Sequence, residues 1–202
     1  MQQFAVSRVT IRRALKELVN ESILIPRQGS GYSVQTRQRL TQPLNQISSF
    51  SADCHSRGLT PGTIMISRKQ GKNCDRESAH FNVPFGSDVM RVRRVRTGDG
   101  EPLLVEHATL LTSNAPSWPW PNGSLYLAME QTNRHPERAL QQYTAVLADK
   151  RIASQLNVKE GSPLMLVTTA CFTIEDAPVE YSQCWFRPDK WSFAHEISRQ
   201  AT

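Results

Sequence analysis

The chain has no apolar run approaching the ~18 residues that a membrane-spanning helix needs, and its first residues lack the hydrophobic core of a secretory leader. Neither a bilayer nor export is predicted, so the chain is expected in the cytoplasm. Cysteine is scarce and scattered: Cys54, Cys74, Cys171 and Cys184 form no Cys-x-x-Cys pair, and no histidine stands at a zinc-ligand spacing. They read as reduced, structural thiols, with no metal and no cofactor. A Ser-His-Asp ordering and carboxylates paired at a defined spacing are also missing, which leaves no catalytic residue to name. Acidic residues are rare at the front, where the first 72 positions hold 11 of the 24 Lys and Arg but only 3 of the 18 Asp and Glu. A basic front and a near-neutral rear predict a polyanionic partner for the front alone.

What is present starts at Ser7, a helix N-cap residue ahead of Ile11, Ala14, Leu15, Leu18 and Val19, which recur at three- and four-residue steps. The other face carries Arg8, Thr10, Arg12, Arg13 and Lys16, so the first turn offers donors and positive charge while the apolar stripe anchors on a small core. A helix that reads base edges and phosphates needs this division. Two short apolar runs, Ile23 to Ile25 and Tyr32 to Val34, then flank Pro26-Arg27-Gln28-Gly29-Ser30-Gly31, the pattern of a basic β-hairpin with glycines at its tip.

Val6-Ser7-Arg8-Val9-Thr10-Ile11-Arg12-Arg13-Ala14-Leu15 followed by Arg27-Gln28-Gly29-Ser30-Gly31 resembles the GntR family of bacterial transcription regulators, which read DNA with a winged helix-turn-helix. The resemblance implies operator contacts from Ser7, Arg8, Thr10 and Arg12, and a wing tip, Gln28 and Gly29, in the minor groove. The family carries about two helices before this point. The resemblance therefore implies a reading head over residues 1–36 that is N-terminally incomplete.

With 202 residues and 39% hydrophobic content, the chain can build a medium domain beside this small one. The polar segment after Val34 reads as a linker over residues 37–43, leaving 44–202 for the larger domain. A short helix is expected near Leu44 to Asp53 and a strand from Thr63 to Lys69. Sliding the chain against itself by ~75 residues uncovers an internal repeat, because Phe81-Asn82-Val83, Gly86-Ser87 and Val89 match Leu156-Asn157-Val158, Gly161-Ser162 and Leu164. Each copy reads as a helix, a Gly-Ser turn and a β-hairpin. Two such modules cannot bury their faces alone, so they predict one α+β domain: an antiparallel sheet, helices on one side, and a pseudo-twofold cleft.

Ser49-Phe50-Ser51, Arg57-Gly58, Pro61-Gly62, the run Val89 to Arg96 with Asp99-Gly100-Glu101-Pro102, and Pro178-Val179-Glu180-Tyr181-Ser182 are similar to the UTRA ligand-sensing domain of the HutC subfamily. The resemblance implies a chorismate-lyase-like fold that binds a small effector, often a phosphorylated sugar, and pairs as a homodimer on double-stranded operator DNA.

Strand alternation turns Arg94 and Arg96 to one face and Arg91 and Arg93 to the other. Two forked guanidiniums at that spacing fit an anion clamp or, equally, a basic face with cross-strand acids. The family resemblance favours the clamp. It adds Ser51, Ser124 and Tyr126 to the anion end, counts Phe50 among the effector-binding residues, and gives Glu106 and Glu180 to hydroxyls or an amine. By residue type alone, Ser124 is as readily a helix cap and either glutamate a surface strand residue. Phe186 stands where some sugar-phosphate sensors carry a phenol, which removes one hydrogen bond. Trp118-Pro119-Trp120-Pro121-Asn122 reads as a lid, cleft wall or packed loop. A regulator is the leading function; a chorismate-lyase-like enzyme and a truncated ligand-binding module without DNA binding are the alternatives.

Overall fold

The computed structural model describes residues 7–20, 24–27, 31–34, 40–43 and 46–194, which fall into two units divided after Gln38, each taken by itself. In the first, Ser7 caps helix α1 (Arg8–Asn20): its Oγ accepts from the Thr10 amide at 3.1 Å and lies 2.9 Å from the Thr10 hydroxyl. Ile11, Leu15, Leu18 and Val19 are half-buried, while Arg12, Arg13 and Lys16 are exposed. Ala14 is exposed too, so the apolar stripe is narrower than its periodicity implies. Strands β1 (Leu24–Arg27) and β2 (Gly31–Val34) pair antiparallel from Leu24↔Val34 to Arg27↔Gly31, forming the wing. Its tip, with Gln28 and Gly29, lies outside the described residues, as do residues 1–5.

The second unit is built on a six-stranded antiparallel sheet. Its strands are β4 (Pro61–Lys72), β5 (Asp88–Gly98), β6 (Glu101–Leu111), β7 (Arg138–Leu147), β8 (Pro163–Phe172) and β9 (Pro178–Phe186), in the order β4-β5-β6-β9-β8-β7. That order is symmetric about the β6–β9 seam, as the repeat requires. Each half also contributes a helix, α3 (Asp75–Phe81) or α5 (Lys150–Leu156), and the repeat signature marks how each helix ends. Asn82 and Asn157 are left-handed C-caps at φ 50° and 53°, and Gly86 and Gly161 follow at φ 83° and 79°. Asparagine tolerates that region and glycine favours it, so the matching letters are the turns that send each chain back into the sheet.

Both repeat helices lie on one face. There Ile152, Ala153 and Leu156 of α5 pack on Val95, Val105 and Leu164, while α3 sets its buried Glu77 against Arg91 and Thr109. The opposite face is not open, contrary to the expectation of helices on one side only. Short helices α2 (Phe50–His55) and α4 (Leu125–Glu130), which stand one repeat step apart and are each capped by a serine, Ser49 or Ser124, cover its two ends. Leu125, Ala128, Met129 and Trp120 pack on Met90, Val92, Ala108 and Leu110, and Cys54 and Phe50 join Leu104, Val167 and Phe186 in a second cluster. Between the clusters the same face is polar. Leu40–Pro43 (β3), within the expected linker, is a strand that pairs in parallel with β10 (Trp191–Ala194). Among the described residues, no helix is long and apolar enough to cross a membrane.

Candidate effector site

The β5–β6 hairpin turns on Asp99 and Gly100, both at positive φ (49° and 82°), a two-residue type I′ geometry that Asp-Gly suits. Pairing starts at Gly98↔Glu101 and Thr97↔Pro102, then a bulge shifts it to Arg96↔Leu104 and Arg94↔Glu106. Without that extra residue Val105 would stand opposite Arg94. The bulge thus places a carboxylate beside the arginine on the same face.

Arg94 and Glu106 are both buried, and the pair is two-pronged: Arg94 Nε and Nη2 donate to the Glu106 oxygens at 2.7 and 2.8 Å. Burial alone would lift the Glu106 carboxyl, but the guanidinium overrides it and holds Glu106 below its ordinary value. Arg94 therefore has the cross-strand acid that strand alternation left open, though buried rather than solvated. Its Nη1 donates to the Gly123 carbonyl at 2.8 Å, and the Trp120 ring lies 5.2 Å away. Trp120 is thus packed core beneath Arg94, while Trp118 is 46% exposed.

Arg96 is differently placed. Its Nη1 donates to Thr63 Oγ1 at 2.6 Å and to Gly123 O at 2.8 Å, its Nη2 donates to Ser51 Oγ at 2.9 Å, and the Phe50 ring covers it at 4.6 Å. Among the described residues it meets no carboxylate, and its buried Nε has no hydrogen-bond partner. Burial, followed by repulsion from Arg94, draws its pKa down to about 10, leaving it a cation at neutral pH.

These groups border a cavity of about 100 Å³ that continues, past Gln42, Ser48, Tyr126, Gln141 and Thr169, into one of about 450 Å³. Of the residues expected here, Phe50, Arg94, Arg96, Glu106, Ser124, Tyr126, Glu180 and Phe186 all line the smaller cavity. Ser51 does not; it stands behind Arg96. Ser124 does two things at once, lining the cavity and capping α4 by accepting from the Leu127 amide at 3.4 Å. Glu180, 2% exposed, points Oε2 at no partner among the described residues. Burial and then the Glu106 charge push its pKa up to about 7. Burial raises the neighbouring thiols Cys171 and Cys184 and the Tyr126 phenol as well, so all three are protonated at neutral pH.

Gln42, Ser48, Gln141, Thr169 and Ser182 also line the cavity and were not picked out from the sequence. The repeat carried a signal for one of them, since a 75-residue step takes Arg94 to Thr169 and Arg96 to Cys171. The two arginines of one half are therefore matched by uncharged side chains in the other.

The UTRA domain family model matches residues 56–192, and that of the bacterial regulatory proteins, gntR family, matches residues 1–34. The chain is a gntR-family regulator carrying a UTRA domain. This family regulates transcription through DNA, which removes the lyase alternative. The HTH-type transcriptional repressor NagR of Bacillus subtilis is 28% identical over 98% of this chain and 82% of its own length. The HTH-type transcriptional regulator GgaR of Escherichia coli K12 is 24% identical over 96% and 78%. Among solved structures, PhnF from Mycobacterium smegmatis superposes with a TM-score of 0.76 at 24% identity, covering 98% of this chain and 88% of that one. At that identity the likeness concerns the fold alone. The regulator thus joins a winged DNA reader to an α+β sensor.

Proposed function

We propose that the regulator is a cytoplasmic, homodimeric repressor whose cleft takes a small anionic metabolite, a phosphorylated sugar in the first instance, and that occupancy releases double-stranded operator DNA. One observation carries this reading: Arg96 and Glu180 line a single cavity, and each has a buried side-chain atom, Arg96 Nε or Glu180 Oε2, with no hydrogen-bond partner among the described residues. A ligand with an anionic end and a hydrogen-bond donor beyond it satisfies both, which water-free burial otherwise leaves costly. Contacts of Ser7, Arg8, Thr10, Arg12, Gln28 and Gly29 with the operator belong to the same proposal. The names of the relatives, a repressor and a regulator, support the direction of control.

The physics is linkage: an effector that weakens operator binding by some factor is itself bound more weakly by that factor when DNA is present. The test is a thermal-shift screen of phosphorylated sugars and their unphosphorylated partners, repeated on Arg96→Met. A ligand at 100 times its Kd adds about 2.7 kcal/mol of stability. A shift with a phosphorylated compound, lost in Arg96→Met, supports the reading. A shift only with uncharged compounds overturns it.

A further inference from the structure

The odd-numbered face of the sheet carries a second polar cluster that effector binding does not use. Antiparallel register sets Arg93, His107 and Gln183 side by side across β5, β6 and β9, and Arg91, Thr109 and Tyr181 in the next row. Together with the start of α3 they enclose a cavity of about 180 Å³. Its lining has a single carboxylate, Glu77, and that group is saturated. Glu77 accepts from Arg91 Nε at 3.0 Å, the Thr109 hydroxyl at 3.0 Å and the Cys74 amide at 2.8 Å, with Arg91 Nη2 as a fourth donor. A carboxylate has about four acceptor sites, so Glu77 neutralises Arg91 and has nothing left for the other cations.

Those cations are Arg93 and Arg76. Among the described residues, Arg93 forms no ion pair and Arg76 bonds only the Tyr181 phenol, at 3.5 Å. Half-buried His107 stays neutral at physiological pH: partial burial, then the charges of Arg93 and Arg151, draws its pKa down to about 4. The groups left facing the cavity are two guanidiniums, an amide, a phenol and a neutral imidazole, a set dominated by donors. Forked guanidiniums match the oxygens of a tetrahedral or planar oxyanion.

We propose that this cavity is a second, independent site for a small oxyanion of the phosphate class, held by Arg93 and Arg76 over His107 and Gln183. It is separate from the effector cleft because Arg93 and Arg94, adjacent in the chain, point to opposite faces, with the full sheet between them.

The experiment titrates inorganic phosphate into the full chain at constant ionic strength and follows the His107 ring protons by NMR. The same titration is run on Arg93→Gln and on Arg96→Met. Arg93 is exposed, so its replacement leaves the fold intact, which the remaining spectrum verifies. Saturable movement of the His107 signals is expected in the parent and in Arg96→Met, with affinity at least tenfold weaker in Arg93→Gln. Three outcomes would overturn the site: chloride at the same ionic strength moving His107 equally, Arg93→Gln leaving affinity unchanged, or the response vanishing with Arg96→Met instead.

Discussion

Arg94 and Glu106 face each other across the β5–β6 ladder and close a buried ion pair at 2.7 and 2.8 Å. Removing one partner strands the other charge away from water, a change that costs about 3–5 kcal/mol in comparable buried pairs. Glu106→Ala should therefore lower the unfolding free energy of the sensor by that amount, read from the shift of its urea midpoint multiplied by the m-value. The double variant Arg94→Met/Glu106→Leu, which removes both charges, should recover most of it. A Glu106→Ala protein as stable as the parent would mean that the pair is not formed in solution.

Glu180 gives the sensor a pH dependence of definite sign. Its ordinary value is 4.5, and burial with the Glu106 charge lifts the folded-state value to about 7. Between those limits the native chain holds a proton that the unfolded chain has released, so stability falls as pH rises from about 4.5 to about 7 and levels off above. Glu180→Gln has no proton to lose. Its urea midpoint should lie near the parent's at pH 5 and above it at pH 8; parallel pH profiles would contradict the raised value.

Gly123 supports both arginines through its carbonyl, at φ 66°, and a Cβ there would come within 2.9 Å of Thr63 Oγ1, itself an acceptor from Arg96. Gly123→Ala should cost about 1–3 kcal/mol in backbone strain and displace the Arg96 guanidinium. Thermal melts with and without an effector should show a lowered Tm and a reduced ligand-induced shift. A lowered Tm with a full ligand shift would separate Gly123 from the site.

Arg12 is exposed on α1. If it meets an operator phosphate, Arg12→Ala should weaken DNA binding across sequences and reduce the slope of log K against log salt by about 1. Fluorescence anisotropy over a salt series measures both. An unchanged slope with lost sequence preference would instead assign Arg12 to a base edge.

Local chemistry was legible in the sequence wherever it needed a particular residue type. The Ser7 cap, the Asp99-Gly100 turn and the paired Asn82 and Asn157 helix ends all follow from letters that few other residues could replace. Arg138–Leu147 escaped notice because an edge strand, largely exposed on both faces, has no need of apolar alternation, and Gln141, Gln142 and Thr144 supply none. The partner of Arg94 was hidden for another reason. Cross-strand neighbours depend on register, and one bulged residue, Leu103 on the partner strand, decides between Val105 and Glu106. Strand β3 was read as linker because a four-residue strand held by its neighbour's backbone leaves little trace in side-chain pattern.

The symmetric strand order has a kinetic consequence. Every pairing in the six-stranded sheet except β6–β9 lies within one half of the repeat, either residues 61–111 or 138–186. Each half can zip from its own hairpin at small loop-closure cost, whereas joining Leu104 to Phe186 closes a far longer loop. Arg94 and Arg96 belong to one half and Glu180 to the other, so the cleft comes into being only when the seam closes. Effector then has nothing complete to bind on the folding pathway, and its stabilisation should appear as slower unfolding with the folding rate unchanged.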